Sequence, residues 1–166
     1  MTTPQKGEHA AEAACRQLMD ARETLLLSTV NGEQQPEISY APYIRDRAGD
    51  FVIFVSELAA HTGNLLKRGE AAVMFIQSEA ASRNPFARQR VVLQCRAREV
   101  ARDERRYPAL LASLEERFGE TVTLLRSLPD FHLIILTPRS GRYVAGFGQA
   151  YRIELPDWSL RPIGPD

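Results

Sequence analysis

A mainly β fold with flanking helices, a closed antiparallel barrel rather than a doubly wound sheet, is predicted by three observations. Short runs rich in β-branched and aromatic residues outnumber helical stretches, they follow one another in hairpin-like pairs, and single helices interrupt them without regular βαβ alternation. A length of 166 residues with 44% apolar content fits one globular domain with a real core, placed over about 13–155 and followed by a Pro-rich tail.

The first helix is expected from Glu8 to Arg22, because Ala11, Ala14, Cys15, Leu18 and Met19 recur at the spacing of one buried stripe. Thr24 to Val30 reads as a strand, Asn31-Gly32 as a turn with room for positive φ, and Glu37 to Ile44 as the hairpin partner. Pro42 cannot donate to a ladder, so that partner is expected at a sheet edge or with a bulge. A turn from Asp46 to Asp50 leads into Phe51 to Ser56, which is apolar on both faces. Leu58 to Arg68 has helical composition, and Gly69 stands where a C-terminal cap belongs.

Ala71 to Gln77 is a further buried strand. Ser78 to Gln89 carries Pro, Asn and Ser without periodicity and reads as a long loop of the functional kind. Arg90 to Val100 alternates cleanly, with Val91, Leu93, Cys95 and Ala97 on one face and Gln94, Arg96 and Arg98 on the other. Asp103 or Glu104 is expected to open a helix to Phe118, and Thr121 to Leu128 a second. Strands Phe131 to Leu136, Tyr143 to Phe147 and Ala150 to Leu155 follow, with a turn at Arg139 to Gly141. Pro156 to Asp166 carries no assigned element.

The 21 basic residues balance 21 acidic ones, which removes the basic excess that marks a nucleic-acid binder. Apolar runs such as Ala71 to Ile76 fall far short of the ~20 residues of a membrane span. The polar start, Met1 to His9, lacks the apolar region of a secretory signal, so a cytoplasmic location is expected. Cys15 and Cys95 sit on apolar faces as small buried hydrophobes, and neither has metal-ligand spacing to another Cys or His.

Neutrality hides a local asymmetry. Only Lys6 and Lys67 are lysines, and between Arg83 and Arg106 eight arginines meet three acids, Glu99, Asp103 and Glu104. Arg96, Arg98, Arg102, Arg105 and Arg106 read as a solvated strand face and its continuation. Arg83, Arg88 and Arg90 lie in or beside the loop, around Phe86, where a guanidinium could grip an anionic group while the ring covers an apolar cofactor face.

His61, beside Thr62 and Asn64 at a helix start, reads either as a ligand to a metal or phosphate or as a surface or capping residue. His132 alternates with apolar neighbours and reads as solvent-facing. Gly146 and Gly148 flank Phe147 and mark a bulge or a close approach of the backbone to a ligand or partner chain. No Gly-rich phosphate loop, nucleophile elbow or H-E-x-x-H motif is present.

Six blocks in consistent order then carry a resemblance: Ser56-Glu57-Leu58-Ala59-Ala60-His61-Thr62-Gly63-Asn64-Leu65, Met74-Phe75-Ile76, Phe86-Ala87-Arg88-Gln89-Arg90, Arg117-Phe118-Gly119, Leu128-Pro129-Asp130-Phe131, and Gly141-Arg142 with Gly146-Phe147-Gly148-Gln149-Ala150-Tyr151. Over roughly Ala13 to Leu155 the chain resembles haem-utilisation proteins of the HutZ/HugZ type, within the pyridoxamine-phosphate-oxidase-like, FMN-binding split-barrel superfamily. The resemblance implies a six-stranded split β-barrel, a homodimer with ligand sites at the subunit interface, no nucleic-acid or membrane partner, and haem or FMN as cofactor.

It further implies cofactor contacts from Arg45, His61, Thr62, Asn64, Arg88, Arg90, Gly146 and Gly148, with Arg88 and Asp130 in catalytic roles. Its activities are oxidative haem degradation, FMN-dependent oxidation or non-catalytic carriage. His61 takes the place of a lysine that holds the FMN phosphate in flavin-using relatives, which favours the haem branch because an unperturbed imidazole is mostly neutral at pH 7. The family's axial histidine near the C-terminus has no counterpart after Gln149, so the expected iron ligand is His61, His132 or a tyrosinate, with His61 the first candidate.

Overall fold

The computed structural model describes residues 6–164; the first five residues of the polar start and the last two of the tail lie outside the described residues. In chain order the elements are α1 (Lys6–Asp20), β1 (Thr24–Val30), β2 (Pro36–Arg45), β3 (Phe51–Ser56), α2 (Ala60–Arg68), β4 (Glu70–Ile76), two 3₁₀ turns (Glu79–Ala81 and Pro85–Ala87), β5 (Arg90–Val100), α3 (Tyr107–Phe118), α4 (Glu120–Leu125), β6 (Phe131–Gly146), β7 (Gln149–Glu154) and β8 (Ser159–Pro162). Hydrogen bonding orders the strands β3-β2-β1-β4-β5-β6-β7-β8, and β3 also pairs with β6. That closed cycle of six strands is the antiparallel split barrel expected.

The chain divides into two compact units. One holds Glu23–Ala72 and Cys95–Thr137. Its core is the stripe Tyr107, Leu110, Leu111 and Leu114 of α3, at i, i+3, i+4, i+7, clustered with Ile44, Val52, Val100, Val122, Leu133 and Ile135. The β1–β2 hairpin is not the two-residue turn expected. Asn31 Oδ1 accepts the amides of Glu33 and Gln35, and the positive φ, 63°, falls on Gln34 instead of Gly32. Asp46 does the same for the next turn, accepting from Ala48 and Asp50.

Pro42 does not mark an edge. β2 runs between β1 and β3; Pro42 faces Thr24, and the pairing with β3 begins one residue later, at Tyr43 opposite Ile53. The missing N–H is thereby placed where the second ladder has not yet started. On β2 the inward residues are Ala41 and Tyr43, whereas Ile38 and Tyr40 are 83% and 64% exposed.

Gly69 caps α2 as expected, at φ 68°, with its amide on the Leu65 carbonyl. The helix expected from Asp103 or Glu104 begins later, at Tyr107. Glu104 instead accepts the Ala101 amide and pairs with Arg98, which holds a turn where the helix would have started.

The second unit holds the segment through Arg22, Val73–Gln94 and Pro138 to the end. The α1 stripe buries Cys15, Leu18 and Met19 as read from its period, and Glu12 accepts the amide of Leu160 on β8. Two expectations fail here. The turn at Arg139 to Gly141 is absent, because β6 runs unbroken through it to Gly146, and the tail contributes β8, which pairs with β7. Gly141 lets β6 pass close to β5: a Cβ there would stand 2.5 Å from a Leu93 methyl. No helix among the described residues is long and apolar enough to cross a membrane.

Candidate functional site

In the unit containing β3 and α2, the connection between these two elements is built from side chains far apart in sequence. Ser56 Oγ donates to Asp130 Oδ2 at 2.6 Å and accepts the Leu58 amide. The Glu57 amide donates to the Asp130 carbonyl at 2.9 Å. Thr62, fully buried, donates to the Ser56 carbonyl at 2.6 Å. Asn64 reaches the neighbouring hairpin, donating to Thr29 Oγ1 at 3.0 Å and Glu37 Oε2 at 2.8 Å. Thr62, Asn64 and Asp130 therefore fix the start of α2 against β1, β2 and the head of β6, and their polar atoms are engaged inside the protein.

His61 is different. It lines a recess of about 460 Å³ with Glu37, Ile38, Ser39, Tyr40 and Ala60. Its Nε2 is buried and meets no hydrogen-bond partner. Desolvation lowers the pKa of the ring, so it is a neutral imidazole at pH 7. A neutral ring with an unengaged buried nitrogen is a poor phosphate clamp and a good metal ligand. Beside it, Ile38 and Tyr40 present an apolar floor to the outside. Arg45, at the end of β2, lies over the ring of Phe51, 5.8 Å from its centroid.

His132 does not face solvent as expected. Its side chain is 18% exposed, with Nδ1 2.6 Å from Glu99 Oε1 and Nε2 2.8 Å from Glu57 Oε1. Burial alone would lower its pKa; the hydrogen bonds to Glu99 and then Glu57 outweigh burial and raise it, so His132 is an imidazolium donating at both nitrogens. Glu57 and Glu99 carried no signal in the sequence, since they lie 75 and 33 residues away. Arg102 is exposed as read, and from there it donates to the carbonyls of Arg126 and Leu128.

In the other unit, Arg88 closes the base of the loop after β4. Its Nε and Nη2 donate to the Gln77 carbonyl, and Nη1 stands 3.4 Å from Glu79. Arg90 donates to the Arg88 carbonyl, Arg83 is exposed, and Phe86 is 87% exposed at the loop tip. Gln89 accepts from the hydroxyl of Tyr143, whose pKa burial pushes up to about 12. Gly146 sits at the irregularity where β6 meets β7, and Gly148 turns the chain at φ 69°.

The family model for pyridoxamine 5'-phosphate oxidase matches residues 11–145. The chain belongs to the pyridoxamine 5'-phosphate oxidase family. Within that family it stands with the HutZ type: it is 36% identical over 146 residues to heme oxygenase HutZ of Vibrio cholerae, covering 88% of this chain and 82% of that protein. A crystal structure of Vibrio cholerae HutZ, described as a heme storage protein, matches with a TM-score of 0.74 at 32% identity over 82% of this chain and 94% of that one. Campylobacter jejuni ChuZ matches with a TM-score of 0.83 at 27% identity, over 98% of this chain and 65% of that one. A pyridoxamine 5'-phosphate oxidase-related, FMN-binding protein of Nostoc punctiforme, at 15% identity and a TM-score of 0.63 over 99% and 98% of the two chains, shares the fold.

Proposed function

We propose that this member of the pyridoxamine 5'-phosphate oxidase family binds haem and acts in its oxidative degradation, as a cytoplasmic homodimer. The observation that carries the reading is His61: a buried, neutral imidazole whose Nε2 has no protein partner, beside an exposed apolar floor of Ile38 and Tyr40. A buried ring nitrogen with no protein partner costs stability, and coordination to a haem iron would meet it. The likeness to heme oxygenase HutZ supports the same reading.

The residues fit the group as follows. His61 would hold the iron through Nε2. Asp130, through Ser56, and Thr62 are positioning residues that hold the start of α2, while Asn64 anchors the helix to Glu37. Arg88, on releasing the Gln77 carbonyl, and Arg90 would pair with a carboxylate, and Gly146 and Gly148 would let the backbone approach the group. When bound, haem would supply oxygen activation, and the protein's part would be the His61 base, the apolar floor and the anion-pairing arginines. The exposed apolar residues Ile38, Tyr40 and Leu58 support a second copy covering this face.

Parallel titrations with haem and with FMN test the reading. A Soret band saturating at one haem per chain, lost in His61→Ala and restored by added imidazole, is the expected result. A flavin spectrum at one FMN per chain with no haem binding below about 10 μM, roughly −7 kcal/mol, overturns it. Bleaching of the Soret band by a reductant in air separates degradation from carriage, and sedimentation gives the copy number.

A further inference from the structure

Three arginines form a row across the outer face of β6, β7 and β8. Arg142 stands directly opposite Arg152, and Arg152 directly opposite Arg161. Directly opposed residues share one face of a sheet and neighbouring strands lie about 4.8 Å apart, so the three side chains rise side by side. All three are exposed, as is Arg139 on β6. Like charges directly opposite one another are destabilising, and a sheet carries two such pairs in succession only at a cost to itself.

The protein does not neutralise the row. Glu154 stands 3.6 Å from Arg161, and among the described residues no carboxylate pairs with Arg139, Arg142 or Arg152. These side chains border a recess of about 600 Å³, within the range of small-molecule sites of roughly 300–1,000 Å³. Its other walls include Val92 and Leu155, both half-buried, and Glu154 is its one acidic side chain. The guanidinium fork matches phosphate oxygens two at a time, and several forks in a row match an anion with more than one phosphate group.

We propose that the recess over β6, β7 and β8 is a binding site for a small diphosphate-bearing anion, gripped by Arg139, Arg142 and Arg152, with Val92 and Leu155 against any organic part. The site is independent of His61 and stands whether or not the chain takes haem. It also accounts for the uncompensated row: bound anion supplies the negative charge that the sheet lacks.

The test uses the whole protein with two probes, inorganic pyrophosphate and ADP, followed by calorimetric titration and by melting temperature at low salt. Both probes are expected to bind and to raise the melting temperature, and Arg142→Gln with Arg152→Gln is expected to weaken binding by roughly tenfold or more per arginine, the scale of a hydrogen bond to a charged group. The double variant without anion should melt at or above wild type, because the repulsion is gone. Tighter binding of ADP identifies an organic diphosphate and equal binding an inorganic one, and either supports the site. Absence of binding by both probes, or binding unchanged in the double variant, overturns it. So does a double variant that melts lower without anion, or one that alters the copy number while the wild type ignores both probes, because the row then meets carboxylates of the protein itself.

Discussion

His61 and His132 belong to the same unit and stand on either side of the Ser56–Asp130 hydrogen bond in the chain's connectivity, one just after β3 and one on β6, yet their electrostatics are opposite. Burial holds His61 neutral and leaves Nε2 without a partner. Two carboxylates hold His132 charged and engage both of its nitrogens. An imidazole satisfied at both nitrogens has no lone pair to offer, whereas one left unsatisfied keeps it at a local cost of about 1–3 kcal/mol. That difference supports the proposal that His61, and not His132, meets a ligand.

The strongest way to break the comparison is to exchange the roles. His61→Ala should reduce haem affinity about a hundredfold, near 3 kcal/mol, while His132→Gln should leave the Soret titration within about twofold of wild type. Equal losses in both variants, read by titration, would end the distinction. Asp130→Ala comes next. It strips the acceptor from Ser56 Oγ and should lower unfolding free energy by about 1–3 kcal/mol by denaturant titration. Thr62→Val, nearly isosteric, should cost about 1 kcal/mol and loosen the start of α2, seen as faster amide exchange of residues 59–63.

The pH dependence sharpens the contrast further because the two signs differ. The pKa of His132 is raised on folding, so its clamp is fully present below the unfolded value near 6.5 and fades as pH rises through the folded value. The stability gap between wild type and His132→Gln should therefore be larger at pH 6 than at pH 9, read as denaturation midpoints at the two pH values. The pKa of His61 is lowered, so its neutral form favours the fold above about 6.5, and that advantage is lost as pH falls through the folded value. His61→Gln should narrow the acid loss, the smallest effect of the series, measured as denaturation midpoint against pH.

Much of the scaffold was legible because its signals are local. The α1 stripe, the Gly69 cap and the Asp46 turn each depend on residues a few positions apart. The start of α3 was missed because Glu104, a good helix opener by composition, spends its carboxylate on the Ala101 amide and Arg98. The strand through Pro138 and Gly141 was missed because turn-forming residues signal a break, and only the close passage beside Leu93 makes glycine a requirement for continuity. In the candidate site, His61, Thr62, Asn64 and Asp130 were found as a motif, but their division into one unengaged base and three engaged anchors was not.

Periodicities and caps alone led to a mainly β fold, a closed antiparallel barrel with flanking helices, since these follow from spacing along the backbone, and the resemblance carried by six ordered blocks implied the split barrel, the family and a role for the residues around His61. Tertiary structure alone decided partners and protonation. His132 becomes a cation through carboxylates 33 and 75 residues away, and Arg142, Arg152 and Arg161 become one charged row through strand register. The arginine excess visible in the sequence, Arg83 to Arg106, is largely spent on carbonyls and carboxylates such as those of Gln77, Leu128, Glu104 and Asp46. The unspent charge lies on strands whose neighbours only the fold supplies, because a Coulomb interaction depends on distance in space and not on separation along the chain.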